Sequence, residues 1–331
     1  AFWAVPVITF AYIFMGVQGW TQGWPKNLTV FLRTFILILY FSKFLMGAVI
    51  LLDDIRRIFM WGVDRLSPNT AYSSGRSKFL SQLGLVLGSL PFLSLTYGVI
   101  RNPYRYKVYS QDIGIRDIPD ALNGLRIVQI SDIHSGSFLL KEPVERSVEI
   151  INELKPDLVF FTGDLVNSEA SEMDNYTDVF GQIRARYGVY SILGNHDYGD
   201  YQEWPSEEAK RANFEYLQEQ HRKMGWKLLM NQHDVIEVEG RRVGIIGVEN
   251  YSANRRFHKY GDLAKATEGM PEADLRILLS HDPSHWRDQV TSDYKHIDLT
   301  LSGHTHGFQF GIEIPGFIRW SPVQYVYKEW A

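Results

Sequence analysis

Cysteine is absent from all 331 residues, which excludes disulfides, thiolate nucleophiles and thiolate metal sites. This absence does not fix a compartment, because a disulfide-free chain is acceptable on either side of a membrane. A basic excess is missing as well: 34 Lys and Arg stand against 38 Asp and Glu, for a formal net charge of −4. With no basic stripe able to neutralise many phosphates, a nucleic-acid polymer is not expected as partner, and a small or lipid-borne substrate is easier to accommodate. The third absence is positional. Long apolar runs are nearly gone after Tyr104, where the sequence turns charged and carries its Asp and His clusters, whereas the sequence before it is rich in them. That contrast predicts a membrane region over 1–103 and a globular domain over 104–331.

In the first part, Ala1 to Val17 is apolar and is followed by Trp20 and Trp24, as at a membrane interface. Leu28 to Leu52 is long enough to span but carries Arg33, which can snorkel, and Lys43, which is deep enough to need a polar partner. Phe79 to Ile100 is a third run, diluted by small residues that favour close helix packing in lipid. Three spans are expected. The stretch from Asp53 to Lys78 reads as a loop rich in Arg and Lys. The positive-inside rule puts it in the cytoplasm and the following domain on the outer face, although Arg101, Arg105 and Lys107 pull the other way. The chain opens inside an apolar run and closes on Glu329-Trp330-Ala331, so it reads as cut at both ends.

After Asn102-Pro103, Tyr104 to Ile115 alternates like an opening strand. Helical periodicity follows over Lys141 to Leu154, Asp174 to Arg186 and Ser206 to Lys223, and three short strands between Trp226 and Gly247 read as a meander. Strands alternating with helices indicate an α/β sandwich with a mixed sheet.

Five polar clusters close β-prone runs in this second part: Asp132-Ile133-His134, Gly163-Asp164, Gly194-Asn195-His196-Asp197, His281-Asp282 and Gly303-His304-Thr305-His306. Asp-x-His or Asn-His-Asp alone is a weak signal, since both suit ordinary turns. Five in order at strand ends are another matter, because a sheet would deliver all of them to one edge. Carboxylates, imidazoles and an amide suit a pair of divalent ions such as manganese, iron or zinc. Asp164 is the natural bridge between two ions, and two-metal sites of this kind serve in-line displacement at phosphorus. His196 is then the acid for the leaving oxygen, oriented by a carboxylate such as Asp197. His285 reaches the cleft if Pro283 starts a helix; His221, His233, His258 and His296 read as surface or structural. Loops after the clusters carry Arg255, Arg256, His258 and Lys259, candidates to grip a second phosphate, and Tyr198, Tyr201 and Trp204, candidates to pack on a base or sugar.

On these clusters the chain resembles the calcineurin-like metallophosphoesterase superfamily from about Tyr106 onward. The resemblance implies a four-layer α/β/β/α sandwich with mixed sheets and a dinuclear site at the carboxyl ends of its strands. It also implies one ion on Asp132, His134, Asp164 and His306 and another on Asp164, Asn195, His281 and His304, with His196 as the acid. Within the superfamily the sequence looks most like a bacterial membrane-linked branch, some members of which hydrolyse UDP-diacylglucosamine. The expectation is a phosphodiesterase or pyrophosphohydrolase in the inner membrane acting on a phosphate ester, lipid-linked in the favoured case. A phosphomonoesterase with the same metal core, and a scaffold that only binds its ligand, are the alternatives.

Overall fold

Runs of Leu, Ile, Phe and Val with few turn residues make the beginning of the chain helical. The computed structural model describes residues 3–21, 23–66, 74–101, 104–255, 257–306, 312–314 and 316–321. Two compact units, Ala1–Val108 and Tyr109–Ala331, divide it.

The first unit contains α1 (Ala4–Val17), α2 (Lys26–Leu66) and α3 (Ser74–Arg101). Among the described residues two helices, Leu28–Val63 and Gly75–Arg101, are long and apolar enough to cross a membrane. With 14 helical residues α1 falls short of the roughly 20 needed to span. The charged stretch after Asp53, expected as a loop, continues α2 as helix to Leu66, with Arg56 bonded to Asp53 at 2.9 Å and Arg57 to Asp54 at 3.4 Å one turn back. These i,i+3 pairs keep opposite charges on one face and let the helix persist where hydrophobicity ends. Lys43 is exposed, and its ammonium lies 5.2 Å from the Tyr40 ring rather than against a carboxylate. Helices α2 and α3 approach closely at Gly88, where a Cβ would come within 2.9 Å of Met46 Cβ and 3.0 Å of the Ser42 carbonyl.

The second unit runs β1 (Ile127–Ile130), α4 (Glu142–Glu153), β2 (Leu158–Phe161), α5 (Thr177–Phe180), β3 (Val189–Ser191), α6 (Glu207–Lys223), β4 (Lys227–Leu228), β5 (Gln232–Val238), β6 (Arg241–Gly247), α7 (Leu263–Thr267), β7 (Leu275–Leu279), α8 (Thr291–Asp293), β8 (Leu299–Leu301), β9 (Ile312–Ile314) and β10 (Ile318–Trp320). One sheet has the order β1-β2-β3-β4, all parallel; another has β5-β6-β7-β8, with β5 antiparallel to β6 and the rest parallel; β9 and β10 form a separate hairpin.

Strand alternation sorts the core into layers. Val159 and Phe161 of β2 face a cluster with Val144, Val148 and Ile151 of α4 and Leu217 of α6. Their neighbours Leu158 and Phe160 turn to the other side and meet Ile245 of β6 and Ile277 and Leu279 of β7 between the sheets. On the far face of the second sheet, Ile246 and Leu278 pack on Leu263 and Ala266 of α7 and on Val290. The order is helices, sheet, sheet, helices. Fully burying each such side chain stabilises the fold by about 1.5–3 kcal/mol, so the double-sided strands anchor it. Helix α4 supplies its apolar stripe at i, i+4 and i+7 and opens with Pro143 in its first turn, whereas α6 starts on Ser206, whose hydroxyl accepts the Ala209 amide at 3.2 Å.

Local pattern misled in three places. Residues 105–115 form no strand, although Ile115 packs against the inter-sheet core. The helix expected over 174–186 contracts to the four residues of α5. The meander is two strands, since β4 joins β3 in the first sheet.

Candidate metal centre

Parallel strands place their carboxyl ends at one edge, and β1, β2, β3, β7 and β8 each end just before one of the polar clusters. The loops are stitched beyond the strands: Asp132 N–H donates to the Gly163 carbonyl at 2.9 Å, His134 N–H to the Asp164 carbonyl at 3.1 Å and Gly303 N–H to the His281 carbonyl at 2.9 Å. Gly163 has φ of +99°, and a Cβ there would sit 2.6 Å from the Gly194 nitrogen. Across from it, a Cβ on Gly194 would overlap Asp164 Oδ1. Two facing glycines therefore allow the second and third loops to touch.

The backbone at five of the candidate ligands is itself strained. Asp132, His134, Asp164, His304 and His306 all have positive φ, between 45° and 71°. Left-handed geometry costs a non-glycine residue roughly 1–2 kcal/mol, and Asp and His are among those that tolerate it.

Donor atoms converge as a result. One group, Asp132, His134, Asp164 and His306, and a second, Asp164, His281 and His304, each have their ligand atoms within 4.8 Å of one another. Asp164 belongs to both. Its Oδ2 lies 3.6 Å from His134 Nε2 and 3.1 Å from His281 Nε2, while its Oδ1 accepts the His196 backbone N–H at 2.9 Å. His134 and His306 bring Nε2 atoms to 3.2 Å, and His304 Nδ1 stands 3.3 Å from His281 Nε2. His306 Nε2 is 3.3 Å from Asp132 Oδ1.

Second partners set the histidine tautomers. His281 Nδ1 is 2.7 Å from the Thr162 carbonyl and so carries hydrogen, turning Nε2 to Asp164. Burial opposes charge on both groups, but at 3.1 Å their mutual attraction wins: the Asp164 carboxyl is lowered and His281 is held up at about 10. Burial first, and then the charge on His281, push His304 down to about 4; burial likewise lowers His134. A proton on His281 thus supplies the positive charge that the carboxylate demands.

The residues fit divalent ions on an observation independent of those distances. Asn195 Oδ1 is buried without a hydrogen-bond partner, while its Nδ2 donates to Tyr201 Oη at 2.9 Å. A buried amide oxygen with nothing to accept is costly unless a cation faces it.

His196 Nδ1 donates to the Asn167 carbonyl at 2.8 Å, and its ring stands edge-on to His134 with centroids 4.8 Å apart. Asp197 is not its orienting partner. That carboxylate is fully buried and accepts the backbone N–H groups of Asp164, Leu165, Val166 and Gly194 at 2.8–3.3 Å, so it clamps the Asp164 loop to the Asn195 loop. Burial and the adjacent Asp164 charge push its pKa up to about 7, against the pull of those amides.

The outlying candidates divide. Arg255 is exposed and Arg256 lies outside the described residues. Tyr198 is buried between Phe214 and Tyr260, and Trp204 donates to the Gly199 carbonyl at 2.8 Å; both are structural. Only Tyr201 of the three aromatics reaches the centre. His285 is buried between Ser280 and Gln289 with its ring on Tyr251, away from the ligands. His221 is buried against Ser191, and burial pushes its pKa down to about 3.

Sequence reasoning missed several supports. Glu172 accepts the amides of Gly136 and Asn167 at 3.1 and 2.6 Å, fixing the carbonyl that holds His196. Asp282, also fully buried, points an oxygen without a hydrogen-bond partner at His304 Nε2, 3.6 Å away. The Phe257 ring meets His304 edge-on at 4.9 Å. Only Asp282, adjacent to His281, gave any signal in the sequence.

Comparison with known proteins identifies the family. The model of the calcineurin-like phosphoesterases matches residues 125–308, which carry all five clusters. The chain belongs to the calcineurin-like phosphoesterase family. A second model, described as a probable calcineurin-like phosphoesterase transmembrane domain, matches residues 1–103, and the chain is membrane-associated. A zebrafish protein, "Transmembrane protein with metallophosphoesterase domain", is 34% identical over 230 residues, 67% of this chain and 49% of its own length. An uncharacterized metallophosphoesterase of Bacillus subtilis, YkoQ, is 28% identical over 68% of this chain and 77% of its own. The chain spans about half the length of the zebrafish relative and of a bovine one at 30% identity. Among solved structures, the NAD nucleotidase of Haemophilus influenzae matches 55% of this chain and 38% of its own at a TM-score of 0.38 and 18% identity.

Proposed function

We propose that this protein is a membrane-anchored phosphoric ester hydrolase that works with two divalent ions, manganese, iron or zinc. Asp132, His134, Asp164 and His306 would hold one ion, and Asp164, Asn195, His281 and His304 the other. The observation that carries this reading is Asp164 Oδ2, a single buried oxygen facing imidazoles of both groups. Ions held there supply Lewis-acid polarisation of a phosphoryl oxygen and a nucleophilic water at neutral pH. The chain does the rest. His196, with Nδ1–H committed to the Asn167 carbonyl, presents Nε2 as the proton donor to the leaving oxygen. Asp197 keeps the loops of the bridging carboxylate and the amide ligand in register through four backbone bonds.

The substrate we favour is a phosphodiester or pyrophosphate borne by a lipid, because the catalytic unit shares its chain with membrane helices. Metal-stripped, detergent-purified protein given Mn²⁺ tests this against a generic diester, a monoester and UDP-diacylglucosamine. Turnover restored by the metal, lost in His196→Ala and greatest on the lipid substrate, is the expected result. Monoester preference would overturn the substrate class, and no turnover by the metal-loaded protein would favour a scaffold that only binds. We place the protein in a bacterial inner membrane with the catalytic unit outside. Since the chain has no cysteine, a cysteine in place of the exposed Glu237 of β5 (Glu237→Cys) should react with a membrane-impermeant maleimide in intact cells. Labelling only after lysis would reverse the orientation.

A further inference from the structure

We infer that Tyr201 is a positioning residue for the second ion, acting through Asn195; the inference rests on the two-ion reading above. An amide side chain can present either its oxygen or its nitrogen to the site, and only the oxygen is a ligand. Something must choose. Tyr201 Oη, 2.9 Å from Asn195 Nδ2, takes the nitrogen and so leaves Oδ1 as the buried, unpartnered atom. The same tyrosine restrains the acid, its ring packing on His196 with centroids 4.6 Å apart. One half-exposed side chain thereby holds both an ion ligand and the proton donor.

The loop that carries it is tied down rather than free. Asp200 accepts from Tyr260 Oη at 2.9 Å and from Lys210 Nζ at 2.6 Å, and Tyr260 stacks on Tyr198 at 4.0 Å. These contacts fix the backbone just before Tyr201, so its hydroxyl reaches Asn195 from a rigid support. With that hydroxyl accepting from Asn195, its own proton is directed elsewhere.

The test measures metal binding directly. Full-length protein in detergent is stripped and titrated with Mn²⁺ by calorimetry, with bound metal counted after gel filtration. Wild type should take up two ions. Tyr201→Phe, which keeps the ring and removes only the hydroxyl, should bind the second ion 10- to 100-fold more weakly and leave the first unchanged, the range expected for loss of an outer partner of a ligand. Tyr187→Phe is the control for a purely structural effect: it removes a hydroxyl that donates to Glu239 at 3.2 Å, outside this loop, and keeps both affinities whatever it does to the melting temperature. Two ions bound by Tyr201→Phe at wild-type affinity would overturn the inference while leaving the two-ion reading intact. Failure of the wild type to bind a second ion would instead overturn the reading beneath it.

Discussion

Asp164 Oδ2 and His281 Nε2 stand 3.1 Å apart with both side chains excluded from water. In the metal-free chain this pair acts as a salt bridge whose stabilisation depends on pH. The Asp164 pKa is lowered in the folded chain, so its contribution is present above the unfolded value near 3.8 and is lost as pH falls through the folded value. The His281 pKa is raised to about 10, so its contribution is complete below 6.5 and disappears as pH rises toward 10. Thermal unfolding of stripped protein should therefore show this pair's greatest stabilisation between about pH 4 and 6.5. Binding of an ion at the same oxygen displaces the histidine proton, so adding Mn²⁺ at neutral pH should acidify a weakly buffered sample. A flat melting profile above pH 6.5 together with no proton release would contradict the pairing.

His196 and Asn195 are adjacent in sequence and differ in assigned task, and metal counts separate them. His196→Ala should keep both ions and lose about 10²–10⁴-fold in turnover, the usual worth of a positioned acid. Asn195→Ala should lose the second ion as well as turnover. Equal metal content in the two variants would deny the amide its role.

Asp282 faces His304 Nε2 at 3.6 Å, while Nδ1 of the same ring turns toward His281. Replacing the carboxylate by Asp282→Asn should weaken the second ion about 10- to 100-fold, as expected when a ligating histidine loses its outer carboxylate. Measured Mn²⁺ affinity equal to wild type would show that burial alone orients His304.

The facing glycines predict a stability difference between superficially similar substitutions. Gly163→Ala meets both a positive φ and a Gly194 backbone nitrogen 2.6 Å from the added carbon, whereas Gly225→Ala, at φ +74°, meets nothing within 4 Å. The second variant should lose roughly 1–2 kcal/mol from backbone strain. The first should lose clearly more and also lose metal, because the Asp164 and Asn195 loops must separate. Denaturant unfolding and metal content together check both statements.

Much of the centre was legible because its ligands occur as short contiguous clusters at the ends of apolar runs, and a parallel sheet converts strand ends into neighbours without further instruction. Asp197 was misassigned because its partners are backbone amides at 164–166 and 194, and no side-chain pattern announces an acceptor of peptide hydrogens. Tyr201 sat in a plausible recognition loop, but its bond to Asn195 depends on how that loop is folded back. The alternation from Tyr104 to Ile115 was a local pattern that joins no sheet among the described residues, and pairing is what turns alternation into a strand. In the membrane part, the ion pairs along α2 hid a continuous helix behind a composition that reads as loop.

Asp132, His134, Asp164, His304 and His306, five of the candidate ligands, all have left-handed backbone. At such positions glycine relieves strain that aspartate and histidine must bear. Substitution by glycine there would lift the backbone strain and at the same time remove a side chain that could face an ion. Backbone geometry and metal chemistry thus pull these five positions in opposite directions, the one toward glycine and the other toward aspartate and histidine.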